Sequence, residues 1–203
     1  MAAALLADPA WPVRWAAVDA VAWLAQGGSH RVVLRAAAAL AERLEDRDWP
    51  VRRAAAIGLG NLLGFLEASE ADEDVARLAL PTFDAVEEVA EAAIRRTLRL
   101  LCDAVEEVRL AATDLLPLLC RERGNCEVVS VLVARIEGDE RLPSVICRAI
   151  VALGRLAVPD DALVLAALEA RLVDRNAAVE GAARQALAAL EAARLPLPAA
   201  ERS

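Results

Sequence analysis

Small and branched apolar residues recur along this chain at steps of four, three and four. From Val51 the series runs Val51, Ala55, Gly58, Leu62, and the same spacing gives Val13, Ala17, Ala20, Leu24. Further copies are Val108, Ala112, Leu115, Leu119, then Val145, Ala149, Ala152, Leu156, then Val179, Ala183, Ala186, Leu190. A sixth, Val89, Ala93, Arg96, Leu100, breaks only at Arg96. Such steps put all four side chains of a copy on one helical face. Small residues in mid-stripe let a neighbouring helix approach closely, while Val and Leu fill the ends. The pattern predicts an all-α chain that repeats one turn-plus-helix unit, of which Asp46–Leu63 is the clearest copy.

Between these helices, His30–Glu45 carries its own apolar face of Val33, Ala37, Leu40 and Leu44. The expected order is a short helix near 2–7, then helices over 13–26, 30–45 and 51–68. Three more follow at about 72–81, 85–101 and 104–121, and four over 126–137, 142–156, 160–173 and 176–194. Residues 1–195 read as a single repeat domain, with 196–203 a non-helical tail. The spacing from Val13 to Val51 and from Val51 to Val89 is 38 residues each time, close to the period of helical-pair repeats. The middle is irregular. Asp84-Ala-Val-Glu-Glu-Val89 and Asp103-Ala-Val-Glu-Glu-Val108 are near copies only 19 residues apart. Three helices between Asp72 and Arg121, where pairs need an even number, predict an extra helix or a change of phase, with a local bend.

Composition supports helices and narrows the setting. The 203 residues are 58% hydrophobic, mostly Ala, Leu and Val, and 3% aromatic. Ala and Leu head the helix propensity scale, and the β-branched and aromatic runs of strands are absent. The longest uncharged run, Ala54–Leu66, has 13 residues, too few to cross a bilayer. Met1–Ala7 lacks the basic and long apolar regions of a signal peptide. Cys102, Cys120, Cys126 and Cys147 match neither a zinc-site spacing nor a secreted disulfide framework. They read as reduced thiols packed in a cytoplasmic protein.

A polar motif accompanies the apolar one. Asp-x-x-x-x-Val-Arg-x-x-Ala stands at Asp8/Val13/Arg14/Ala17, at Asp46/Val51/Arg52/Ala55 and at Asp103/Val108/Arg109/Ala112. The arginine is missing at Asp84/Val89/Ala90, Glu140/Val145/Ile146 and Asp174/Val179/Glu180. An Asp just before a helix suits orphan backbone N–H groups and the positive dipole end, worth about 1 kcal/mol as a cap. An Arg six residues on can reach the Asp of a neighbouring turn. Asp8, Arg14, Asp46, Arg52, Asp103 and Arg109 would then form a ladder along the stack, and copies lacking Arg would be looser joints. Pro12 and Pro50 fall in the first helical turn, where a missing N–H removes no intrahelical bond.

This motif resembles the turn and second helix of HEAT repeats, and the resemblance covers most of residues 5–194. It implies a right-handed α-solenoid of about five helical pairs, with second helices lining a concave side where partners bind. Bilin-lyase-type proteins and alkylpurine DNA glycosylases share this kind of repeat. Their resemblance implies, as an alternative, a nucleic-acid-binding or accessory enzyme module.

Charge and candidate chemistry favour a binding protein. The net charge is −8, with 31 acidic and 23 basic residues, all of the latter Arg. Residues 61–120 hold 13 acids against five arginines, so the acidity is concentrated there. A polyanion needs a basic surface, so nucleic acid is disfavoured. The acidic stretch Glu67–Asp74, with Glu87, Glu88, Glu91, Glu106 and Glu107, either solvates an Ala-rich protein or receives a basic partner. Trp11 and Trp49 share one repeat position, each in Trp-Pro-Val-Arg, and Trp15 and Trp23 lie two helical turns apart. Trp11 and Trp49 either pack over the turns or form an aromatic ridge that grips a peptide or stacks on bases, and with Trp15 and Arg53 they are the candidate partner-binding residues. His30 is the sole histidine, Tyr is absent, and no catalytic grouping, metal site, cofactor site or phosphate loop is visible. The expectation is a non-catalytic scaffold or adaptor with a protein or peptide partner and no membrane segment. The apolar start Met-Ala-Ala-Ala-Leu-Leu predicts self-association or further repeats at the N-terminal end.

Overall fold

The computed structural model describes residues 2–70, 83–120, 123–138 and 140–194. It divides into two compact units, Met1–Leu119 and Cys120–Ser203. Every regular element among the described residues is helical. The expected helix at 72–81 and the tail 196–203 lie outside the described residues.

In the first unit, α1 (Ala2–Leu5) leads to α2 (Trp11–Ala25), α3 (His30–Arg43), α4 (Trp49–Glu70), α5 (Phe83–Leu100) and α6 (Glu106–Leu119). The Trp-Pro pairs open α2 and α4, with Pro12 early in α2 where its absent N–H is harmless. Gly27 and Gly28 follow the end of α2. First helices pack on their own second helix, α3 on α4 and α5 on α6. Second helices pack on one another, α2 on α4 and α4 on α6, while α3 packs on α5. This is the arrangement of stacked helical pairs.

The mid-stripe small residues sit at those second-helix contacts. A Cβ at Gly58 would lie 3.1 Å from Ala22 Cβ, so glycine there sets how closely α4 approaches α2. Val51, Ala55 and Leu62 are fully buried around it. Val108, Ala112, Leu115 and Leu119 are likewise buried on α6. On α2 the buried face runs Arg14, Ala17, Val18, Ala22 and Ala25, about one residue round from the expected stripe. Ala20 and Leu24 are exposed. Helix α2 packs against α3, α4 and the four-residue α1, and the face turned from these stays in solvent.

The misfit copy Val89, Ala93, Arg96, Leu100 lies on α5, a first helix. Ala93 and Leu100 are buried, but Val89 and Arg96 only partly so, because α5 packs on α3 and α6. The second helix that follows α4 is therefore α6, and its Val108 stands 57 residues after Val51, not 38. The near-copied Asp84 and Asp103 segments sit at different places in one pair.

In the second unit, α7 (Cys126–Glu137) and α8 (Pro143–Leu156) form one pair. Helix α9 (Ala162–Ala170), extended by a 3-10 turn at Arg171–Val173, forms another with α10 (Ala177–Arg194). The loop before α7 needs a glycine, since Gly124 has φ +90°, and its N–H donates to the Leu156 carbonyl at 2.8 Å. Asn125 then caps α7 by accepting from Val128 N–H, and Asp161 caps α9 by accepting from Leu163 and Val164 N–H. Helix α8 packs tightly on α10: a Cβ at Gly154 would lie 3.2 Å from both Cα and Cβ of Ala186. Val145, Ala149, Ala152 and Leu156 are buried with Val179, Ala183, Ala186 and Leu190. Each large aliphatic among them contributes about 1.5–3 kcal/mol of burial.

Candidate functional site

The turn residues come first, because they hold the second helices in place. Asp8 Oδ1 accepts from Ala10 N–H at 2.8 Å, Asp46 Oδ1 from Asp48 N–H at 3.0 Å, and Asp103 Oδ1 from Val105 N–H at 2.9 Å. Each aspartate thus closes a tight turn onto the residue two further on. The N-cap of α2 is Ala10, without a side-chain cap, so Asp8 shapes the approach to that helix and does not cap it.

The arginines link successive turns. Arg14 donates through Nε and Nη2 to the two carboxylate oxygens of Asp46, both at 2.8 Å, and through Nη2 to Asp48 at 2.6 Å. Its Nη1 donates to the carbonyls of Asp8 and Pro9 in its own turn, at 2.7 and 3.1 Å. Arg52 repeats the arrangement. It forks onto Asp103 at 2.7 and 3.1 Å and donates to the Asp46 and Arg47 carbonyls at 2.8 and 3.0 Å. Arg109 donates to the Asp103 and Ala104 carbonyls at 2.8 and 3.2 Å. The fork geometry is what a planar guanidinium offers and a lysine does not.

Burial makes the first link electrostatically demanding. The Arg14 and Asp46 side chains are 5% and 4% exposed. The hydrogen bonds to Asp46 hold the Arg14 guanidinium above its ordinary pKa, against the cost of burial. Burial alone would raise the Asp46 carboxyl. The Arg14 bonds, the Asp48 N–H and the positive charges of Arg14 and Arg43 hold it below the usual carboxylate value.

Copies without the second-helix arginine are joined by another route. Glu140 Oε1 accepts from Leu142 N–H at 3.1 Å, and Arg135 of α7 stands 3.8 Å from its carboxylate. Asp174 accepts from Asn176 N–H at 2.9 Å and from Arg171 at 3.0 Å, and Arg171 also donates to the Ile136 carbonyl of the preceding pair. Arg43 does the same in the first unit, donating to the Leu6 carbonyl at 2.9 Å. These arginines close the first helices, a position the Asp–Arg motif does not include. The signal was present as a basic residue three before the turn acid, at Arg43 and Arg171.

The tryptophans lie on the second helices of the first unit. Trp11, Trp15, Asp19 and Trp23 follow one another at steps of four along α2, as Trp49, Arg53, Ile57 and Asn61 do along α4. All eight are exposed, Trp23 at 72% the most open of the four tryptophans. Between the two rows runs an open groove of ≈ 380 Å³ lined by Asp19, Ala22, Trp23, Gln26, Ile57, Gly58 and Asn61. A second groove of ≈ 240 Å³ lies between α4 and α6, bordered by Ile57, Gly60, Asn61, Asp114 and Leu118 among others. The ridge Ile57–Asn61 is common to both, and among the described residues no basic side chain lines either. Four of the expected candidates therefore fall on one surface, with Trp23, Asp19 and Asn61 added to it. His30 opens α3, and its side chain lies outside the described residues. Among the described residues no group of three His, Cys, Asp or Glu is placed to hold a metal ion, and no helix is long and apolar enough to cross a membrane. Of the acidic stretch, residues 71–74 lie outside the described residues, while Glu87, Glu88, Glu91 and Glu107 are exposed.

Comparison with known proteins agrees with this geometry. The HEAT repeat family matches residues 33–66, which span most of α3, the Asp46 turn and most of α4. No curated protein matches the chain. Among solved structures, a designed armadillo repeat protein in complex with the peptide (KR)4 is 22% identical with a TM-score of 0.65, covering 93% of this chain and 80% of that one. An engineered protein is 18% identical with a TM-score of 0.43, covering 95% of this chain and 96% of that one. At 22% identity the first likeness concerns the fold. With the repeated turn, the paired helices and the family match over residues 33–66 together, the chain is similar to HEAT-repeat proteins and folds as an all-α solenoid of helical repeats.

Proposed function

We propose that the protein is a non-catalytic scaffold that binds a partner protein or peptide on the second-helix face of α2, α4 and α6. The observation that carries this reading is the pair of exposed rows, Trp11, Trp15, Trp23 on one helix and Trp49, Arg53, Ile57 on the next. Exposed indoles set in rows along a grooved surface are costly to leave in water and are the residue type enriched where proteins dock. The designed armadillo protein with its bound peptide supports the reading at the level of fold. Asp–Arg links at the turns hold the rows in register, so the face is preorganised. The net charge of −8 is the wrong sign for a phosphate backbone, which is why protein is favoured over nucleic acid.

The test is selection of binders from a random peptide display library on the intact protein. Selected peptides are expected to lose binding to a Trp15→Ala/Trp49→Ala variant whose circular dichroism matches the parent. Binders that hold the variant as tightly as the parent would remove this face from consideration.

A further inference from the structure

The groove between α2 and α4 has the chemistry of a receptor for one positively charged side chain. We propose that it takes an arginine or lysine side chain of a partner segment. This rests on the protein-binding reading above and adds the chemical class of what is bound. The carboxylate of Asp19 and the side-chain amides of Gln26 and Asn61 line the groove, and none has a hydrogen-bond or ion-pair partner among the described residues. Together they offer a negative charge and two amide oxygens, which is an acceptor set for N–H donors. Trp23, 72% exposed, forms one wall, and an indole face attracts a cation. Ile57, Ala22 and Gly58 supply the apolar surface along which the methylene stem of Arg or Lys lies.

Charge completes the case. Among the described residues no basic side chain lines this groove or the adjoining one across the Ile57–Asn61 ridge. The nearest cation along the same helical row, Arg53, lies one turn before Ile57 and outside both linings. The volume of ≈ 380 Å³ is at the low end of the roughly 300–1,000 Å³ of small-molecule sites. A single long side chain delivered by an extended segment fits it better than a free cofactor. A neutral or acidic side chain would leave Asp19 without a partner or face it with a like charge.

The test uses the full chain and three fluorescein-labelled octapeptides in which Ala alternates with Arg, with Lys, or with citrulline, read by fluorescence anisotropy at low salt. The Arg and Lys peptides are expected to bind and the citrulline peptide to bind at least tenfold more weakly. Asp19→Asn and Trp23→Ala should each weaken Arg-peptide binding by about three- to fivefold, and the Asn61 side-chain amide signals should shift on titration. Both residues are exposed, so matched circular dichroism is expected for both variants. Equal binding of the citrulline peptide, or binding indifferent to both substitutions, overturns the cation receptor. If display-selected peptides still depend on Trp15 and Trp49 while the charged peptides fail to bind, the receptor falls and the wider binding face stands.

Discussion

Replacing Asp46 by alanine tests the turn linkage most directly. The substitution removes both fork bonds from Arg14, each 2.8 Å, and with them one of the two charge partners of a guanidinium that is 5% exposed. It also removes the acceptor for Asp48 N–H. Breaking one side of a buried pair costs about 3–5 kcal/mol, and a lost turn hydrogen bond about 1 kcal/mol. Arg14 keeps Asp48 at 2.6 Å and the Asp8 and Pro9 carbonyls, which brings the total to the lower end, about 3 kcal/mol. A simple cap would cost only about 1 kcal/mol. Asp46→Asn retains the turn acceptor and loses the charge, so it should cost about 1–2 kcal/mol. The assay is urea unfolding followed by circular dichroism, in a double-mutant cycle with Arg14→Ala. A coupling energy of about 2 kcal/mol is expected. A loss for Asp46→Ala at or below about 1 kcal/mol, or coupling under about 0.5 kcal/mol, would refute the linkage.

Other expectations follow from the same contacts. Stability should be retained above the ordinary carboxylate value of about 3.9 and fall as acid titrates through the lower folded values of Asp46 and Asp174. The reason is the sign: both carboxyls are depressed in the fold, Asp174 mainly by the Asn176 N–H and then by Arg171, so the unfolded chain binds more protons there. An acid titration of Asp46→Asn should show a shallower loss. Gly154→Ala should destabilise by about 1–2 kcal/mol despite alanine's better helix propensity, because Ala186 backbone lies 3.2 Å from the new Cβ. Gly181→Ala, with open space around its Cβ, should stabilise by about 0.5–1 kcal/mol; thermal melts of the two variants read both signs. Acrylamide should quench the emission of the parent efficiently, and Trp23→Ala should remove a large share of the quenchable signal without lowering the melting temperature.

Much of the fold was legible because second helices bury one regular stripe against each other. Val51, Ala55, Gly58 and Leu62 could be read directly, as could the stripes of α6, α8 and α10. The α2 stripe was misplaced by about one residue because the face of α2 turned from α1, α3 and α4 meets solvent, and periodicity alone does not say which side a helix has a neighbour on. The copy at Val89 misled for another reason: first helices carry apolar faces of similar spacing, and sequence does not mark which partner they face. The Arg14 and Arg52 forks follow from a six-residue offset that recurs. The bonds of Arg43 and Arg171 to carbonyls of the preceding pair were missed, since a backbone acceptor leaves no residue type to recognise. The groove was hidden likewise, because Asp19 and Asn61 come together only when α2 and α4 lie side by side.

The reach of the turn arginines has a consequence for how such a chain can change length. Arg14 finds Asp46 after 32 residues and Arg52 finds Asp103 after 51, yet both make the same two-turn connection. Chain inserted between α4 and α5 is thus invisible to the link, which depends only on one turn following another in space. Excising residues 14–51 would bring Val13 directly before Arg52 and give the Asp8 turn an arginine that already fits Asp103. Arrays joined this way can be shortened or lengthened by whole units without inventing a new contact.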